Sequence, residues 1–194
     1  MHLVNACVLV LPGGKPTSDQ PTRPWQLAQV RVALLAAELR REFGGAVPVR
    51  RVRYRMRGWN APRLDALSDA RAVLTDITAM VVPDRVVLVG HSMGARVAAH
   101  LAGEHPVGAV VALAPWWPAD DAARITPATR LLAVHGTADT WTDPRSSRVQ
   151  VTRAGERGVD AEWIGLDRAD HFLLRRWPDW TALTVRLIRA QLGV

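Results

Sequence analysis

"RVVLVGHSMGARVAAHLA", residues Arg85 to Ala102, changes character at its middle. Up to Gly90 it is an apolar, β-branched run suited to a buried strand; after Gly94 it becomes alanine-rich, with arginine, histidine and leucine at helical spacing. Ser92 stands at the join, with Gly90 two residues before it and Gly94 two after. A serine in such a turn ordinarily caps the next helix, since its oxygen can accept from the first free amides. The abrupt switch predicts a strand, a tight turn and a helix in succession. Whether the serine does more than cap depends on what the rest of the chain brings to it.

Working outward, the same alternation runs through the whole sequence. Strands are expected at Asn5 to Leu11, Pro48 to Arg57, Arg85 to Gly90, Gly108 to Ala114, Arg130 to His135 and Ala161 to Leu166. Helical patterns fill most of the gaps, at Trp25 to Phe43, Arg63 to Val81, Ala95 to His105, Pro144 to Arg157 and Asp179 to Leu192. Strands and helices taking turns predict an α/β fold: a doubly wound, mainly parallel, six-stranded sheet flanked by helices. The second strand differs, because "VRRVRYRMRGW" puts Val52, Tyr54 and Met56 on one side and Arg51, Arg53, Arg55 and Arg57 on the other. Period-two alternation implies one wet face, and a row of charges discourages pairing with another chain, so this strand is expected at an edge. The competing use of the arginines is an anion-binding stripe.

With 194 residues and 48% apolar content, the chain can bury one substantial core, and a single domain over 1–194 is expected. "LVNACVLVL" is too short to span a membrane and lacks a cationic leader, so the default is a soluble, cytoplasmic protein without a membrane span. Cys7 is the only cysteine, which rules out an intramolecular disulfide and suits a small core residue. The net charge of +7 comes almost wholly from arginine, since Lys15 is the only lysine. No nucleic-acid-binding motif accompanies that charge, so nucleic acid is not an expected partner.

In an open parallel sheet, ligands bind beyond the carboxyl ends of the strands. The residues that follow the six expected strands are Gly13 and Gly14, Trp59, Ser92, Trp116 and Trp117, Asp139, and His171. A serine hydroxyl needs a base to take its proton, and the base needs an acid to orient it and stabilise its charged form. Ser92, His171 and Asp139 could supply those three roles. Side chains at positions 90 and 94 would crowd a serine held in a sharp turn, which gives the flanking glycines a reason. The Met93 amide, at a helix N-terminus, would favour developing negative charge, and Gly14, with Gly13 as the other candidate, could offer a second donor. An ordinary turn is the competing use of that Gly-Gly pair.

On these residues the sequence resembles the α/β-hydrolase superfamily over nearly its whole length. "GHSMG" is similar to the G-x-S-x-G nucleophile elbow, "HGTAD" to the acid loop and "DRADHF" to the histidine loop, in the order Ser, Asp, His. The closest flavour is a small lysophospholipase-like or dienelactone-hydrolase-like esterase, although the latter uses a cysteine where this chain has Ser92. The resemblance implies Ser92 as nucleophile, Asp139 as acid and His171 as base, with the Met93 and Gly14 amides as oxyanion donors. The expected activity is a serine hydrolase of carboxylesterase or thioesterase type, acting on a small-molecule ester or thioester through an acyl-enzyme, with no metal or organic cofactor. Alternatives are a ligand-binding protein that kept the fold with little or no turnover, and an acyltransferase with the same triad. Two departures stand out. The family's usual first two strands are not expected ahead of "LPGG", so Pro48 to Arg57 is expected at an edge. No lid is expected either, because only "PWWPADDAARITPAT" separates the fourth strand from the fifth.

His91, next to Ser92, is expected to point away from its hydroxyl, and His135 to support the acid loop. His100 and His105 fall on or near the helix after the elbow, and His2 is terminal. Asp120 and Asp121 are the alternative acid, one strand earlier, while Asp143, Asp167 and Asp170 suit helix caps or solvated loops. Eight tryptophans beside two phenylalanines and one tyrosine are an unusual aromatic balance. Trp25, Trp163, Trp177 and Trp180 suit ordinary packing. Trp59, Trp116, Trp117 and Trp141 follow strand ends, where they could either line a substrate pocket with Gly13 or plug the top of a lidless core.

Overall fold

The computed structural model describes residues 6–194, so the expectations for His2 and for Asn5 as the first strand residue lie outside the described residues. Eleven principal elements alternate in chain order: β1 (Cys7–Leu11), α1 (Leu27–Phe43), β2 (Val49–Arg51), α2 (Asp65–Thr78), β3 (Val86–His91), α3 (Met93–Glu104), β4 (Ala109–Leu113), β5 (Arg130–Gly136), α4 (Pro144–Glu156), β6 (Ala161–Leu166) and α5 (Trp177–Leu192). The strands form one sheet in the order β2-β1-β3-β4-β5-β6, and every neighbouring pair is parallel. This is the doubly wound α/β architecture that the alternation predicts.

Strand periodicity sorts the core into two layers. Leu9, Leu88, Val110 and Ala133 point to one face, where Leu67 and Leu74 of α2, Val97 and Leu101 of α3 and Val151 of α4 cover them. Val8, Val89, Val111 and Leu132 point to the other, under Val32, Leu35 and Leu39 of α1 and Trp180 and Ile188 of α5. Burial on both faces is why β1, β3 and β4 read as continuous apolar runs. Cys7 lies within that core, where burial pushes its thiol up to about 11 and keeps it protonated.

The second strand is at an edge, as its arginines imply, but it spans Val49–Arg51 rather than Pro48 to Arg57. The reason lies in its partner. β1 ends at Leu11 and turns at Pro12, so the ladder runs out once the Val52 amide has reached the Val10 carbonyl at 3.0 Å. Beyond it, residues 55–58 pair with the loop 15–22 instead, through Thr22 N–H to the Arg55 carbonyl and Lys15 N–H to the Arg57 carbonyl, both at 2.9 Å. The alternation persists in the side chains, with Val52 and Tyr54 buried and Arg53 and Arg55 exposed.

The connectivity sets the position of the site. From β1 the chain steps outward to β2, returns to lay β3 on the other side of β1, and thereafter steps only towards β6. The loops leaving β1 and β3 therefore diverge, opening a crevice at the carboxyl edge between them. Gly13 and Gly14 form one wall of that crevice and Ser92 the other. Among the described residues, no helix is long and apolar enough to cross a membrane.

Candidate active site

Ser92 has φ 55° and ψ −117°, a left-handed conformation that a side-chain-bearing residue rarely adopts. Three hydrogen bonds hold it: its amide donates to the Leu113 carbonyl at 3.0 Å, and its own carbonyl accepts from the amides of Ala95 at 3.0 Å and Trp116 at 3.2 Å. The glycines make room for this turn. A Cβ at Gly90 would strike the Gly94 carbonyl, and one at Gly94 would strike the carbonyls of Leu11 and Pro12. The hydroxyl caps nothing in α3. It points instead to His171 Nε2, 3.1 Å away.

His171 follows β6, 79 residues from Ser92 in sequence. Its Nδ1 lies 2.8 Å from Asp139 Oδ2. Because a carboxylate can only accept, Nδ1 carries the proton, and Nε2 is left free to accept from the Ser92 hydroxyl. Asp139 is crowded with further donors: the amides of Trp141 and Thr142 at 2.7 and 2.9 Å, the Thr142 hydroxyl at 2.8 Å and His135 Nε2 at 3.1 Å. Burial pushes the Asp139 carboxyl up, but hydrogen bonds from His135, His171 and the Thr142 amide outweigh it and hold the group well below the usual carboxylate range. An ionised acid, an imidazole in a single tautomer and a hydroxyl are thus aligned. All three residues are buried.

His91 does point away from the serine hydroxyl, and it has a second attachment. Its Nε2 donates to the backbone carbonyl of His171 at 2.9 Å, tying the strand end before Ser92 to the loop that carries the imidazole. Burial, the nearby His171 and Arg31 push the His91 pKa down to about 3, so the ring is neutral. His135 supports the acid loop: its Nδ1 meets the Ser147 hydroxyl at 2.8 Å, which in turn accepts from Trp163 Nε1 at 3.0 Å.

Ser92, His171 and His91 line a cavity of about 560 Å³ together with Gly13, Gly14, Trp116 and Trp141. A Cβ on Gly13 would lie 3.4 Å from Ser92 Cβ, so the loop after β1 passes directly over the serine. Among the described residues, neither the Gly13 nor the Gly14 amide has a hydrogen-bond acceptor, and the Met93 amide, opening α3, has no intrahelical one. Trp141 is 70% exposed at the rim, its ring stacked towards His171 with centroids 6.1 Å apart.

Trp59 and Trp117 do not line this cavity. The Trp59 amide is tied to the Lys15 carbonyl at 2.8 Å, and its ring turns down between α2 and α3, against His100 at 4.8 Å and beneath the Arg96 guanidinium at 4.5 Å. Trp117 lies in the same core layer, with its carbonyl accepting from Gln150. Both are plugs of the core. Trp25, expected to pack, is 73% exposed. Asp121, the alternative acid, pairs with Arg96 at 2.9 Å and His100 at 3.1 Å, and the exposed Asp120 likewise has no bond to His171. Asp143 caps α4 through the Arg145 amide.

Several contributors went unpredicted. Thr142 donates twice to Asp139, and the signal for it is the spacing of an aspartate turn, in which a carboxylate accepts from amides two and three residues on. Phe172, Gln26 just ahead of α1, and Gln29 and Arg31 near its start also line the cavity. Arginine on the apolar stripe that continues through Leu35 and Leu39 is the signal for Arg31. Among the described residues, no cluster of histidine, cysteine, aspartate and glutamate is placed to hold a metal ion.

A family model described as the alpha/beta hydrolase family matches residues 8–192. No curated protein matches the chain. Solved structures do resemble it at low identity. An alpha-beta serine hydrolase homologue from Coxiella burnetii is 19% identical with a TM-score of 0.67, over 94% of this chain and 84% of that one. Esterase 2 of Thermogutta terrifontis, phosphorylated by paraoxon, is 16% identical with a TM-score of 0.69, over 96% and 82%. Est1E from Butyrivibrio proteoclasticus is 12% identical with a TM-score of 0.70, over 98% and 89%. At these identities the likeness is one of fold.

Proposed function

The chain belongs to the alpha/beta hydrolase family, and on that premise we propose that it is a serine hydrolase cleaving a small-molecule carboxylic ester or thioester. The observation that carries this reading is the relay from Asp139 Oδ2 through His171 to the Ser92 hydroxyl, at 2.8 and 3.1 Å, opening into a cavity. His171 Nε2 takes the proton as Ser92 Oγ bonds to the substrate carbonyl carbon. Asp139 stays ionised throughout and stabilises the imidazolium. The Met93 and Gly14 amides, with Gly13 beside them, hold the developing oxyanion. The C–O or C–S bond then breaks, the leaving alcohol or thiol takes the proton from His171, and a water activated by the same nitrogen releases the acid. Backbone strain at Ser92 keeps the hydroxyl raised on the turn, clear of the capping role its position would otherwise give it.

Labelling with a fluorophosphonate probe tests this directly. Wild-type protein takes one label, Ser92→Ala takes none, and ester turnover falls by at least about 10³-fold in that variant. An unlabelled wild type, or a Ser92→Ala protein with unchanged turnover, refutes the assignment.

A further inference from the structure

Arg31 is the feature of the cavity that the relay does not use. It is 8% exposed, yet among the described residues its guanidinium has no hydrogen bond and no ion pair. Its contacts are the Phe172 ring, 4.7 Å from the guanidinium carbon, and the field of Asp170, which partly offsets the effect of burial on its pKa. Arginine cannot shed its charge at physiological pH and presents five donors in a planar fork; among the described residues this fork has no protein acceptor and no fully buried unpartnered nitrogen, so its donors are open to the cavity for an anion to engage. Two neighbours on the cavity wall also lack partners. Gln29, 5% exposed, has a side-chain amide with no partner among the described residues, and the Thr22 hydroxyl is buried without one.

The charged side chains that line the cavity have one sign, with Asp170 and Asp139 set behind its wall. Lys15, Arg31 and Arg57 line the cavity and no aspartate or glutamate does. The first turn of α1, which also borders it, holds no acidic residue and no side-chain cap, so its free amides add to the positive potential. Only Arg31 among the three cations is buried; Lys15 is exposed and Arg57 is bonded to Gln20. One buried guanidinium suits one negative charge on a planar group.

We infer that the substrate is an ester or thioester bearing a free carboxylate, which Arg31 receives with Gln29 and Thr22 while Ser92 attacks the acyl carbon. The inference rests on the serine-hydrolase reading above. The carboxylate is a spectator: no bond to it forms or breaks, and the acyl transfer is as already written. Binding it supplies Arg31 with a charged acceptor that neutral analogues lack, and so favours the charged substrate.

Matched substrates test the assignment: mono-4-nitrophenyl adipate against its methyl ester, and 4-acetoxybenzoate against its methyl ester, to place the charge on either side of the scissile bond. In one of the two pairs the wild type should favour the charged member in kcat/KM by about tenfold or more, the size expected of hydrogen bonds to charged groups. Arg31→Gln should bring that ratio close to one, and Arg31→Lys should leave it between the two. Labelling of Ser92 by the fluorophosphonate probe confirms that each variant is folded; if Arg31→Gln is not labelled, Arg31→Lys carries the comparison. Equal kcat/KM for the charged and neutral members of both pairs, or a preference that survives in the labelled variants, overturns the inference while leaving the serine hydrolase standing. Failure of all four esters together with failure of wild-type labelling overturns the hydrolase reading instead.

Discussion

Replacing His91 with glutamine should flatten the acid side of the stability curve. In the folded protein the His91 ring is buried, donates through Nε2 to the His171 carbonyl and has its pKa pushed from 6.5 to about 3. In the unfolded chain it titrates at its ordinary value. Between those two pH values the unfolded state binds a proton that the folded state refuses, so stability falls as the pH drops from about 6.5 to 3 and is unaffected by this residue above that window. At pH 4.5 the loss is about 2.7 kcal/mol, approaching about 5 kcal/mol below pH 3. Glutamine can still donate an amide N–H to the His171 carbonyl but cannot bind a proton. Urea unfolding followed by tryptophan fluorescence, at pH 7.5 and 4.5, gives the four free energies needed. Ionisable groups distant from position 91 are common to both chains and cancel to first order in the difference between them. The wild type should lose about 2.7 kcal/mol more than His91→Gln between the two pH values. Equal losses would refute the reasoning, because they would mean that the folded protein protonates His91 as readily as the unfolded one does.

Two further outcomes concern the architecture of the site. In Gly94→Ala the new methyl meets the main-chain carbonyls of Leu11 and Pro12, which cannot rotate aside, so destabilisation of about 1–3 kcal/mol and loss of probe labelling should occur together. A variant with normal Tm and normal labelling would show that the two loops are not in contact. Trp141→Ala and Trp59→Ala should separate by kind of effect. Trp141 is 70% exposed beside His171, so its loss should raise KM while Tm barely moves. Trp59, 3% exposed in the core, should cost about 3–5 kcal/mol and lower Tm by roughly 10 °C, read by scanning calorimetry.

Which parts of this molecule were legible in its sequence follows from where each constraint acts. The elbow was legible because Gly90 and Gly94 answer to clashes within a single turn and its immediate neighbour, β1. The central strands were legible because burial on both faces leaves an uninterrupted apolar run, and β2 because burial on one face leaves an alternation. The length of β2 was not, since a strand lasts only as long as its partner, and β1 turns away at Pro12. The tryptophans show the same division. Position after a strand end places a backbone near the cavity but does not aim a side chain: Trp116 reaches the cavity, whereas Trp59, held by its amide to Lys15, turns into the core. Residues that enter from the opposite end of an element are harder still. Arg31 follows no strand; it lies near the start of α1, and shares a cavity with Ser92 because the chain reverses its direction across the sheet between β2 and β3. On a helical projection it is an arginine out of place on an apolar stripe, a local anomaly with no local explanation. The fold supplies the explanation by making that stripe end at a cavity, so an out-of-place charge on a core-facing helix is best read together with the strand ends that the helix passes over.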